Sequence, residues 1–149
     1  MRLLRAVVAA LTMLGTGSAV AQVPDTLFTG TARPITSTGP DSWCALEVGP
    51  SLFQRQNAKR ALITLPPLYY AETSASGGIY YGLFGQGRMV FANATSGTVK
   101  FLHPKAYPHK ILTPKFTQYT ETYNAAKGTL SVRFRLKFPG CNIVVLTDY

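Results

Sequence analysis

The chain has 149 residues, 46% of them hydrophobic and 14% charged, with fifteen Lys and Arg against six Asp and Glu, for a net charge of +9. That length allows one domain with a core of its own, and the basic excess points to anionic partners. Beyond the first 21 residues no apolar run is long enough to cross a bilayer as a helix, so no transmembrane segment is expected.

Residues 1–21 carry the marks of a secretory signal peptide. Arg2 and Arg5 form a short positive start, Ala6 to Leu14 an apolar run, and Gly15 to Ser18 a loosened stretch. Ala19-Val20-Ala21 then supplies the small-x-small pattern of a cleavage site, which places the mature N-terminus at Gln22. A core helix in the same place would want caps and a polar face, and neither is present. No Cys follows closely enough for lipid anchoring, and there is no twin-arginine pair. The expected product is a periplasmic or secreted domain spanning residues 22–149, with a net charge of +7 once Arg2 and Arg5 are lost. Its charge is uneven. Residues 22–72 balance four bases with four acids, whereas residues 73–147 hold nine bases and one acid, Glu121.

Period-two alternation and turn residues recur every ten residues or so, and helical periodicity is almost absent. Leu27–Ala32 reads as a first strand, followed by a turn-rich stretch from Pro34 to Ser42. Trp43–Gly49 is the second, with Cys44, Leu46 and Val48 on one face. Residues 51–58 are ambiguous and compatible with a short helical turn. Lys59–Leu65 is a strand that Pro66-Pro67 should end or push to an edge.

The glycine-rich segment Ser74–Gly87 reads as a strand, Ile79–Phe84, kinked at Gly82 and closed by a Gly85-Gln86-Gly87 turn. It lacks the Lys-Ser/Thr pair and the following helix that a phosphate-cradling loop requires, so nucleotide binding is rejected. Arg88–Ala92 and Thr98–His103 look like a hairpin, and the Asn93-Ala94-Thr95 between them fits the N-glycosylation pattern, which matters only in a eukaryotic secretory pathway. Residues 103–115 are a Pro-punctuated loop.

Lys115–Tyr123 and Thr129–Phe138 form the clearest hairpin. In its second strand Leu130, Val132, Phe134, Leu136 and Phe138 face one way, and Thr129, Ser131, Arg133, Arg135 and Lys137 the other. Cys141–Thr147 is a final strand. The fold class expected is therefore all-β: a single antiparallel sandwich or small closed barrel of about eight or nine strands. In an exported chain the two cysteines, Cys44 and Cys141, are expected to form a disulfide, which would tie an early strand to the last.

Little in the chain suggests catalysis. Asp25, Asp41 and Glu47 are the only acids close together in sequence. A pairing of Glu47, Glu72 or Glu121 across the fold would be needed for paired-carboxylate chemistry. His103 and His109 sit six apart among lysines, without further ligands for zinc. No cofactor motif is found, and no cofactor or metal is expected. Seventeen aromatics are an ample supply, and in the pairs Tyr69-Tyr70 and Tyr80-Tyr81 one ring must point to each side of a strand.

The leading expectation is a non-catalytic domain that binds an anionic polymer, a glycan or an envelope protein. An accessory or structural subunit of an envelope assembly is the alternative, and a hydrolase with a dispersed site the third. Alternation sets Arg133, Arg135 and Lys137 about 6–7 Å apart in a basic ridge. A register pairing Tyr123 with Thr129 or Ser131 would lay Tyr119 and Tyr123 beside that ridge, available to stack on sugars or bases.

Overall fold

The alternation in the sequence is realised as strands throughout. In a computed structural model of the chain, the residues described are 22–38, 45–74, 77–101, 113–138 and 141–149. Among them there is no helix, and nine antiparallel strands form one sheet. The strands are β1 (Phe28–Thr38), β2 (Ala45–Leu46), β3 (Gly49–Asn57), β4 (Arg60–Ser74), β5 (Gly77–Phe91), β6 (Gly97–Phe101), β7 (Lys115–Asn124), β8 (Thr129–Phe138) and β9 (Cys141–Asp148). Their order across the sheet is β2-β4-β3-β1-β9-β8-β7-β6-β5, and β5 pairs back onto β4. The ladder from β4 through β3, β1, β9, β8, β7, β6 and β5 thus returns to β4.

One face of this ladder is the core. Leu130, Val132, Phe134 and Leu136 of β8 are all buried, as their spacing requires. Phe53, Ile63, Met89, Val99, Phe101, Phe116, Ile143 and Val145 bury against them from six other strands. Phe116 meets Phe91 edge-on at 5.0 Å and Phe134 at 6.5 Å, the geometry that aromatic quadrupoles favour. Burying one such side chain fully is worth about 1.5–3 kcal/mol, so this face dominates the stability.

Several local expectations are corrected. Residues 51–58 are not a helical turn; most of them belong to β3, where Ser51 and Phe53 are buried and Leu52 is exposed. The polar run Gln54–Asn57 hid that period, because an arginine, Arg55, occupies an inward position. β1 continues through Pro34 to Thr38, with a register shift between Pro34 and Thr36 that relieves the ladder at the proline. Pro66-Pro67 neither ends β4 nor sends it to an edge. A register shift between Leu65 and Leu68 lets the strand pass, and the Pro67 carbonyl accepts a bond from the Glu47 amide.

On the partner strand, Gly85-Gln86-Gly87 is not a turn. β5 runs on through it, and Gly85, opposite Leu65 beside the irregularity, takes a left-handed φ of 96° that suits glycine. Val48 does not share the buried face of Leu46, since β2 stops at Leu46 and Val48 is exposed. The β5–β6 link is tied by Asn93, whose Oδ1 accepts bonds from the Thr95 amide and the Thr95 and Ser96 hydroxyls.

One end of the ladder gathers the β3–β4, β5–β6 and β7–β8 turns, the start of β1 and the end of β9. The segment before β1 packs there, with Val23 buried in the core cluster. No helix among the described residues is long and apolar enough to cross a membrane.

Candidate functional site

The outer face of β8 carries the three cations expected of it. Arg133 and Lys137 are exposed and Arg135 is half-buried, opposite in parity to the buried set. Register then shows what stands beside them. Arg133 lies between Thr120 on β7 and Leu146 on β9, and Leu146 in turn lies beside the exposed Arg33 on β1. Arg135 pairs with Thr117 and Lys137 with the exposed Lys115.

From Lys115 the face continues through Thr98 onto β6, where exposed Lys100 stands opposite exposed Arg88 of β5. Arg88, Lys100, Lys115, Arg133, Arg135 and Lys137 therefore share one surface across four neighbouring strands. No Asp or Glu among the described side chains faces outward on these strands. Glu121 is turned inward opposite Val132, and Asp148, on neighbouring β9, takes a hydrogen bond from Ser131 at 3.1 Å.

The tyrosines are elsewhere. A register shift between Thr117 and Thr120 inserts an extra residue into β7, and Gln118 there has a φ of 53°, uncommon outside glycine. The bulge reverses parity beyond it. Tyr119 is buried, and Tyr123 pairs with Leu130, neither with Thr129 nor with Ser131. Tyr123 packs edge-on against Phe28 at 6.0 Å. Tyr119 and Tyr123 thus lie on the core side and do not flank the ridge. What the bulge aims outward is Gln118, whose Oε1 accepts a long hydrogen bond, 3.4 Å, from Arg135 Nε.

A second polar cluster closes the core at the end covered by Val23. Arg55 points inward from β3 with its guanidinium 3.9 Å from the Phe91 ring centre and 5.8 Å from that of Tyr119. Its Nη2 donates to the Ala58 carbonyl at 3.2 Å, its Nε lies 4.0 Å from Glu121 Oε2, and its buried Nη1 meets no acceptor among the described residues. The Tyr119 hydroxyl donates to the same Glu121 oxygen at 2.7 Å. Burial pushes the Tyr119 phenol well above its ordinary value, and the bond to Glu121 pushes the same way. Tyr149 is also raised, chiefly by burial, against the pull of hydrogen bonds with Ser51 and Thr147; its hydroxyl lies 2.7 Å from Ser51 Oγ.

Beside this cluster is a recess of about 430 Å³ lined by Gln22 to Asp25, Arg55 to Ala58 and Glu121. Alternation could have flagged Arg55 as inward, had 51–58 been read as a strand. Arg88, Lys100 and Lys115 joined the basic face through register, which strand-by-strand reading does not supply.

Cys44, His103 and His109 lie outside the described residues, as do the side chains of Cys141, Tyr69, Tyr70, Tyr80 and Tyr81. Among the described residues no group of three or more His, Cys, Asp or Glu comes together as a metal site would require. The chain matches no protein-family model, and no curated protein and no solved structure is significantly similar to it.

Proposed function

We propose that residues 22–149 are an exported, non-catalytic binding module that holds an anionic polymer of the cell envelope on the outer face of β5 to β8. In this reading the eight paired strands close as a small barrel filled by its own side chains, with β2 on its flank. A disulfide between Cys44 and Cys141 clips its far end.

The observation that carries the reading is the pair of like-charge contacts. Lys115 stands directly opposite Lys137, and Arg88 directly opposite Lys100, all four exposed. Like charges opposite each other on antiparallel strands are destabilising, so folding alone favours a mixed arrangement. A polyanion lying across the strands turns that repulsion into attraction and releases its own counterions. The strand spacing of about 4.8 Å sets neighbouring cations at separations that a phosphorylated or carboxylated chain can follow. Tyr119 and Tyr123 lie on the core side, which favours charge over stacking on those two rings as the source of affinity along β8.

The test is binding of the purified domain to polyphosphate and to neutral dextran at low salt. Polyphosphate should bind and dextran should not. Arg88→Glu with Lys100→Glu should weaken polyphosphate binding at least tenfold while the fold stays intact. Equal binding of the two polymers, or an unaffected double variant, contradicts the reading.

A further inference from the structure

The recess at the Val23 end brings together charges of both signs, loosely paired through Arg55 and Glu121, whose hydrogen-bonding capacity is only partly used. Arg55 has five N–H donors, of which one is hydrogen-bonded among the described residues, to Ala58. Its approach to Glu121, 4.0 Å from Nε, is too long for a hydrogen bond. The side chain is only 15% exposed, so water can serve the remaining donors poorly. Its carbon Cζ lies over the Phe91 ring, 3.9 Å from the ring centre, a contact that uses none of its hydrogens.

The carboxylates around the same recess are likewise half used. Glu121 engages Tyr119 through Oε2, and Asp25 accepts from Gln54 Nε2 through Oδ1 at 3.1 Å. Each therefore keeps a second oxygen for another donor. Val23, Pro24 and Ala58 supply apolar wall, and Gln56 and Asn57 supply amides.

A simple anion would suit Arg55 but meet repulsion from two carboxylates. A simple cation would suit the carboxylates and leave Arg55 unmet. We propose that this recess binds a small zwitterion, an α-amino acid or a short peptide with free termini. Arg55 takes the ligand's carboxylate, and Glu121 and Asp25 take its ammonium group. The volume is within the range of small-ligand sites and admits a dipeptide. Burial of Arg55 against Phe91 and Tyr119 pre-positions the guanidinium before the ligand arrives, so little side-chain freedom is lost on binding. This site lies inside the end of the ladder, away from the basic outer face, and stands or falls independently of polyanion binding.

Calorimetry of the purified domain with alanyl-alanine, N-acetyl-alanyl-alanine and alanyl-alanine amide tests the proposal. The free dipeptide should bind, and each capped form should bind at least tenfold more weakly. Asp25→Asn, a change at an exposed rim residue, should weaken the free dipeptide and leave the N-acetyl form unchanged. Arg55→Gln should reduce binding of the free dipeptide to the level of the amide; should that variant fail to fold, the capped ligands and Asp25→Asn decide alone. Absence of dipeptide binding at millimolar concentration overturns the proposal. So does equal binding of free and capped forms, which would leave Arg55 and Glu121 as a cap on the core.

Discussion

Lys115 and Lys137 face each other directly across β7 and β8, both exposed and both on the side away from the core. Replacing one of them by an acid converts a repulsive cross-strand pair into an attractive one. Lys137→Glu should therefore raise stability by about 0.2–1 kcal/mol in urea unfolding. The same variant should bind polyphosphate more weakly than wild type. A protein more stable and less able to bind is the signature of a face kept basic for a partner. Loss of stability with unchanged binding would point the other way.

Parity on β8 separates the core from that face, residue by residue. Phe134→Ala removes a fully buried ring packed on Phe116, and should cost about 3–5 kcal/mol. Its neighbour Arg133 is exposed, and Arg133→Gln should stay within about 0.5 kcal/mol of wild type. Similar losses at the two positions in denaturant titrations would mean that the register is wrong.

Tyr119 and Tyr149 make stability fall in alkali. Both phenols are raised by burial, so the folded protein keeps protons that the unfolded chain releases above pH 10 or so. Stability from these groups is intact below that pH and is lost as pH rises beyond it, by at most about 2.7 kcal/mol per pH unit for the two together. Tyr119→Phe should flatten this alkaline limb to about half. An unaltered slope between pH 10 and 11.5 would mean that Tyr119 ionises in the folded state.

The disulfide proposal rests partly on topology. Thr38, at the end of β1, pairs with Asn142, the residue after Cys141, and Cys44 follows Thr38 by six positions. Cys44→Ser with Cys141→Ser should lose about 2–5 kcal/mol of stability. Titration of the unfolded, unreduced protein should find no free thiol, and finding two would remove the bridge.

Much of this architecture was legible because its strongest signals are local. The alternation of β8, its hairpin with β7 and the final strand appear in the structure nearly as spaced in the chain. What failed was local punctuation that tertiary pairing overrides. Pro34, Pro66-Pro67 and Gly85 read as breaks, yet each sits in or beside a register shift that keeps its strand in the sheet. The bulge at Gln118 has no signature in the sequence, and it alone moved Tyr119 and Tyr123 from the outer face to the inner one. The basic ridge was visible within one strand. Its extension to Lys115, Lys100 and Arg88 depends on which strands are neighbours, and the inward Arg55 on a strand that its polar composition concealed.

The most direct test of the central claim is the salt dependence of polyphosphate affinity, measured for wild type and for the Arg133→Gln, Arg135→Gln, Lys137→Gln triple variant. Where cations neutralise phosphates, log affinity falls linearly with log salt, by about 0.7–0.9 per contact in nucleic acids. Wild type should show a steep slope, and the triple variant a slope shallower by about two units with its unfolding midpoint little changed. A wild-type affinity indifferent to salt, or a triple variant with the wild-type slope, would contradict polyanion binding by this face.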